Sequence, residues 1–85
     1  MPPVFIFYIL QSESTGRYYI GQTNNLDARV VRHNSGWTRS GRNRGPWRLV
    51  YAEEFSTRSE AVRREREVKR WKSSRLIKRL IDGGY

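Results

Sequence analysis

Arg29 and His33 lie one helical turn apart, and His33, the chain's only histidine, shares a face with Leu26 and Val30 at i, i+4, i+7 spacing. That face has to meet whatever layer the helix packs on. A guanidinium beside it and an imidazole on it conflict with simple patterning, and such conflicts mark functional sites. Farther along, Ala61, Glu65 and Val68 line one side of a second helical stretch, so Glu65 sits in the middle of an apolar stripe. A carboxylate there is costly to bury unless it is paired, protonated or bound to a cation. Glu60 and Glu67 point elsewhere and read as surface charges. Tyrosines cluster near the N-terminus at Tyr8, Tyr18 and Tyr19.

These are the parts that phosphodiester hydrolysis needs. Tyr or His can orient or deprotonate a water, Arg can clamp phosphoryl oxygens, and a carboxylate-held Mg²⁺ can offset charge on the phosphate and the leaving oxygen. Mg²⁺ commonly takes only one or two protein carboxylates, so a single glutamate is sufficient in principle. Each residue also has a structural reading. The tyrosines suit a sheet core, His33 suits a helix end whose dipole it balances, and Arg29 suits an ion pair, even with Glu65.

The elements that must position these groups follow from local pattern. Val4–Leu10 is a continuous apolar and aromatic run, which suits a strand covered on both faces. Gln11–Gly16 is polar and ends in Gly, a turn signal, and Arg17–Gln22 is a second short strand, so the two form an antiparallel hairpin. Thr23, Asn24 and Asn25 supply N-cap chemistry for a helix from about Leu26 to Asn34, closed by Ser35-Gly36. Gly36–Pro46 carries Arg39, Arg42 and Arg44, three glycines and no acid, and reads as a mobile, positively charged loop. Trp47–Phe55 is a third strand, with Trp47, Leu49 and Tyr51 alternating against Arg48 and Val50. Thr57 with Glu60 makes a capping box for the next helix. A last helix, capped by Ser73 or Ser74, turns Leu76, Ile77, Leu80 and Ile81 inward and ends at Gly83-Gly84. The expected fold is α+β: a small three-stranded, mainly antiparallel sheet flanked by helices, order β-β-α-β-α-α, in a single domain over residues 1–85 with its core at about 4–82.

Composition bounds the function. A net charge of +9 on 85 residues, with 17 Lys plus Arg against 8 Asp plus Glu, points to a polyanion partner, nucleic acid before lipid. Most of these cations are Arg, whose fork grips phosphate oxygens in pairs. Three Trp, five Tyr and three Phe argue for a packed core rather than a disordered basic tail. The absence of Cys removes disulfides, thiolate metal sites and Cys nucleophiles, and a single His disfavours zinc. The Val4–Leu10 run is far shorter than the ~20 residues of a membrane span and lacks signal-peptide flanks. A cytoplasmic protein with no membrane attachment is expected.

Tyr8-Ile9-Leu10, Tyr19-Ile20-Gly21, and then Thr23-x-Asn25-Leu26-x-x-Arg29-x-x-x-His33 closely resemble the signature of the GIY-YIG nuclease family. Ser59-Glu60-Ala61-x-x-x-Glu65-x-x-Val68-Lys69 resembles that family's metal-binding helix. The resemblance spans roughly residues 4 to 82 and is strongest to the small stand-alone members, related to the catalytic module of the excinuclease C subunit. It implies that Tyr8 and Tyr19 flank the attacking water, Arg29 contacts the scissile phosphate, and His33 assists proton transfer or holds a tyrosine hydroxyl. Glu65 is implied as the sole protein ligand of Mg²⁺ or Mn²⁺, and Gly21 as a point of close backbone approach. Many members carry an asparagine after the metal-binding helix, whereas Trp71–Tyr85 contains none, which leaves Lys72, Ser73 or Ser74 to replace it.

The expectation is a metal-dependent endonuclease acting on DNA rather than RNA, structure-selective or weakly specific, in repair or recombination, as a monomer or weak dimer. Arg29, Arg39, Arg42, Arg44, Lys69 and Lys72 are its expected nucleic-acid contacts. The alternative is a non-catalytic basic adaptor that keeps the same scaffold.

Overall fold

A strand that is apolar on both sides belongs in the middle of a sheet, and β1 (Phe5–Ser12) takes that place. In the computed structural model, which describes residues 4–35 and 46–83, β2 (Tyr18–Thr23) and β3 (Trp47–Phe55) pair with it on either side. Both pairings are antiparallel, giving the order β2-β1-β3. The helices are α1 (Leu26–Asn34), α2 (Arg58–Trp71) and α3 (Ser74–Ile81), so the expected β-β-α-β-α-α order and α+β architecture hold.

Because side chains alternate along β1, it feeds two cores. Phe7 and Ile9 pack with Val68 of α2 and Ile77 and Leu80 of α3. Tyr8 and Leu10 face the other way, packing with Trp47 and with Leu26 and Val30 of α1. The sheet is thus sandwiched between α1 and the α2–α3 pair, with Phe7, Tyr8, Ile9 and Leu10 all essentially closed to solvent.

Each helix starts where a polar side chain satisfies its first free N–H groups. Asn25 accepts from Ala28 N–H, Thr57 from Glu60 N–H and Ser73 from Leu76 N–H. The hairpin turn is tied by Ser12, whose N–H donates to the Arg17 carbonyl and whose carbonyl accepts from Gly16 N–H. Gly16 adopts φ 75°, a conformation open to glycine at no steric penalty. Lys72, which closes α2, also has positive φ, at 48°, the one non-glycine residue to do so among those described.

One patterning expectation needs correction. Strict alternation puts Trp47, Leu49 and Tyr51 on a single face, but β3 is bulged opposite Ile9 and Leu10. Leu49 pairs with Leu10 and Tyr51 with Ile9, leaving Val50 as the extra residue. The bulge sends Trp47 into the α1 layer and Tyr51 with Val50 into the α2–α3 layer. Leu49 is left 44% exposed.

Candidate active site

The site grows from the pairing of Tyr8 with Gly21 across β1 and β2. A side chain on Gly21 would meet the Tyr8 hydroxyl at 2.6 Å, so the missing Cβ is what leaves room for the phenol. From α1, His33 arrives with its Nε2 3.4 Å from that hydroxyl. Tyr19 completes the stack: its ring centroid lies 4.2 Å from the His33 ring and 6.4 Å from Tyr8. Trp47 closes the far side, 6.2 Å from Tyr19 and 6.3 Å from His33.

The electrostatics follow from this packing. Tyr8 and His33 are each 1% exposed. Burial and the neighbouring Tyr19 hold the Tyr8 hydroxyl well above the usual phenol range; the positive charge of Arg29 opposes this, and the negative charge of Glu65 adds to it. Burial, then Arg29 and Arg32, push the His33 imidazole below its ordinary value, so it favours the neutral form. A neutral imidazole beside a protonated phenol can accept the hydrogen bond that the phenol donates.

Arg29 and Glu65 are half-buried at the border of this cluster, one on α1 and the other on α2 in the opposite layer. Both are close enough for their charges to act on Tyr8. Among the described residues no carboxylate pairs with Arg29, so the Arg29–Glu65 salt bridge is not formed. Glu65 instead meets Lys69 Nζ at 2.6 Å, one turn along the helix, with the Lys69 side chain 54% exposed and that of Glu65 21%. The structure therefore brings Tyr8, Tyr19 and His33 into contact and sets Arg29 and Glu65 within electrostatic reach. It divides them into a buried pair, Tyr8 and His33, and an accessible rim of Tyr19, Arg29 and Glu65.

The donor set fits a particular kind of metal. No group of three or more His, Asp or Glu side chains converges among the described residues, and His33 Nε2 already faces Tyr8. Glu65 alone suits a hard, hydrated cation such as Mg²⁺ or Mn²⁺, and it does not suit zinc.

A family model described as the GIY-YIG catalytic domain matches residues 4–79. The chain belongs to the GIY-YIG family. GIY-YIG domains are nuclease domains, and their substrate class is nucleic acid. Relatives of this GIY-YIG chain include a UPF0213 protein of Staphylococcus saprophyticus, 34% identical over 89% of this chain and 93% of its own. A UPF0213 protein of Staphylococcus aureus is 44% identical over 76% of this chain and 84% of its own. The solution NMR structure of the UPF0213 protein BH0048 from Bacillus halodurans superposes with a TM-score of 0.59 at 38% identity, covering 93% of this chain and 83% of that one.

Other expected nucleic-acid contacts in this GIY-YIG domain are distributed differently. Lys69 is engaged by Glu65, and Lys72 lies beyond α2 at the mouth of a groove described below. Arg39, Arg42 and Arg44 lie outside the described residues. Two residues of structural weight escaped the sequence reading. Trp47, taken as an ordinary strand aromatic, walls the site. Asn34 holds it there, donating Nδ2–H to the Trp47 carbonyl at 3.0 Å and accepting from Trp47 N–H at 2.6 Å. The only sequence signal was an Asn at the helix end, which reads equally well as a C-terminal cap.

Proposed function

We propose that this GIY-YIG domain is a divalent-metal-dependent endonuclease that hydrolyses DNA phosphodiester bonds, selecting branched, nicked or single-stranded structure rather than a defined sequence. Action on DNA intermediates of repair or recombination is the matching role. The observation that carries the reading is the shared environment of the Tyr8 hydroxyl: an imidazole in contact, with a guanidinium and a carboxylate both acting on it from the rim. A purely structural tyrosine needs none of those three.

The chain's own groups divide the work. Arg29, without a carboxylate partner, is free to meet the equatorial oxygens of the phosphate. Tyr19 stands on the accessible side and orients the attacking water. Tyr8 passes its hydrogen bond to neutral His33, whose Nε2 can take up the proton released as the water attacks. Glu65 would hold the metal, which supplies positive charge against the phosphoryl and leaving oxygens. The 2.6 Å contact with Lys69, one turn along α2, holds the carboxylate in place.

The same Lys69–Glu65 pair favours a second reading, in which the carboxylate is already satisfied and the domain is a non-catalytic basic adaptor. One experiment separates the two. Labelled branched DNA and plain duplex are incubated with Mg²⁺ or Mn²⁺ and either the native chain or Glu65→Gln. The nuclease reading expects metal-dependent cleavage that falls by about a hundredfold or more in Glu65→Gln, with binding retained. Binding without cleavage by either protein establishes the adaptor.

A further inference from the structure

Past the Tyr19–Trp47 wall, an open groove of about 510 Å³ wraps the hairpin end of the sheet. It is formed by three separate parts of the chain: the β1–β2 turn, the first residue of β3, and the α2–α3 junction with the start of α3. Its size falls within the ~300–1,000 Å³ of clefts that take a small molecule. Among the described residues no acid lines it, while two cations do, Arg17 from the turn and Lys72 from the junction. Neither is in a salt bridge, although every salt bridge among the described residues joins a Lys or Arg to a carboxylate elsewhere. Ser74 adds a hydroxyl, whereas Ser73 has its own committed to the Leu76 N–H. Tyr18 contributes an aromatic ring on the α2–α3 side, Tyr19 and the largely buried Trp47 bound the groove on the α1 side, and Thr15, Gly16 and Ile77 complete the lining.

We infer that this groove holds one unpaired nucleotide of the strand being cut, its phosphate between Arg17 and Lys72 and its base against the Tyr18 ring. The inference deepens the nuclease reading and rests on it for the identity of the strand. Paired cations without carboxylates suit a phosphate, and an adjoining aromatic surface suits a base whose face is exposed. Bases within a duplex have their faces covered by their neighbours, so the stacking ring selects an unpaired one. Position supports the assignment. Tyr19 and Trp47 belong to both the groove and the catalytic cluster, so an occupant lies next to the scissile position. Lys72 strengthens it: helices commonly close with glycine at positive φ, and here a lysine is kept in that conformation at the edge of the groove. Arg17 is presented by a braced turn, its N–H bonded to Thr15 Oγ1 and its carbonyl to Ser12 N–H.

The test measures binding without turnover, using the full chain carrying Glu65→Gln in metal-free buffer. Fluorescence anisotropy compares a duplex bearing a short unpaired flank with a blunt duplex of equal length. Arg17→Ala combined with Lys72→Gly is expected to weaken binding of the flanked probe about tenfold and that of the blunt probe by no more than about twofold. Lys72→Gly removes the cation and relieves the backbone, so a melting temperature that holds or rises excludes misfolding as the cause. Tyr18→Leu, which keeps apolar packing but removes the ring, is expected to lower affinity for the flanked probe about fivefold or more. Equal losses on both probes, or no loss on the flanked one, overturn the inference. Absence of cleavage by the native chain would sink the nuclease reading and leave this comparison standing, so the two can fail separately.

Discussion

Gly21 fixes where the Tyr8 hydroxyl sits, because even a methyl group would meet it at 2.6 Å. Gly21→Ala is therefore expected to tilt the phenol away from His33. Thermal melts should show a loss of about 1–3 kcal/mol from the forced shift. Cleavage should drop further, on the order of a hundredfold, because misplacing a reacting group is costlier than straining its support. A melting loss without a larger activity loss would remove Tyr8 from the chemistry. His33 makes a prediction about pH. Its folded pKa lies below the ordinary 6.5, so in a window beneath that value the unfolded chain carries more protons than the folded one. Stability then falls as the pH is lowered through that window. Urea midpoints compared at about pH 7.5 and about pH 5.5 should show that slope in the native chain and a reduced slope in His33→Gln. Arg29, His33 and Glu65 were legible in the sequence because each breaks an apolar face. The depth order was not: that Tyr8 lies behind Tyr19 depends on which face of the hairpin α1 covers.

At the scale of elements, local chemistry wrote most of the fold. Asn25, Thr57 and Ser73 start their helices through hydrogen bonds to residues only a turn away, so sequence alone could find them. What sequence missed is non-local. The bulge at Val50 exists because of how β3 meets β1, and nothing within Trp47–Phe55 announces it. The Asn34–Trp47 contact spans a separation of 13 residues. There an amide side chain offers a donor and an acceptor to one residue's backbone, much as a neighbouring strand would. Asn34→Ala leaves both Trp47 groups without that partner and is expected to cost about 1–3 kcal/mol by chemical denaturation. A loss under about 0.5 kcal/mol would mean that the bond pair is dispensable, as surface contacts usually are.

For the molecule as a whole, charge is arranged rather than merely abundant. Glu53 and Glu67 are both taken by Arg64, Glu65 by Lys69 and Asp82 by Lys78, which leaves most of the arginines outside any ion pair among the described residues. An unneutralised basic envelope of this kind binds polyanions by releasing their counterions. With about five phosphates neutralised, log affinity for duplex DNA should fall against log salt with a slope of about −4 to −5. A slope shallower than about −1 would show that these cations are not the footprint. The sequence predicted the sign and size of the field. The pairs at helical spacing, Arg64–Glu67, Lys69–Glu65 and Lys78–Asp82, are local, whereas Arg64–Glu53 depends on how α2 lies against β3 and was not disclosed.

The hydrogen-bonded join between Asn34 and Trp47 also works as a seam that staples the end of α1 to the start of β3. His33 and Trp47, whose rings lie 6.3 Å apart, are delivered by the two elements that this seam joins, so their spacing is held from behind by hydrogen bonds to backbone rather than by the rings themselves. Loosening the seam would therefore let the two rings drift apart without altering either one.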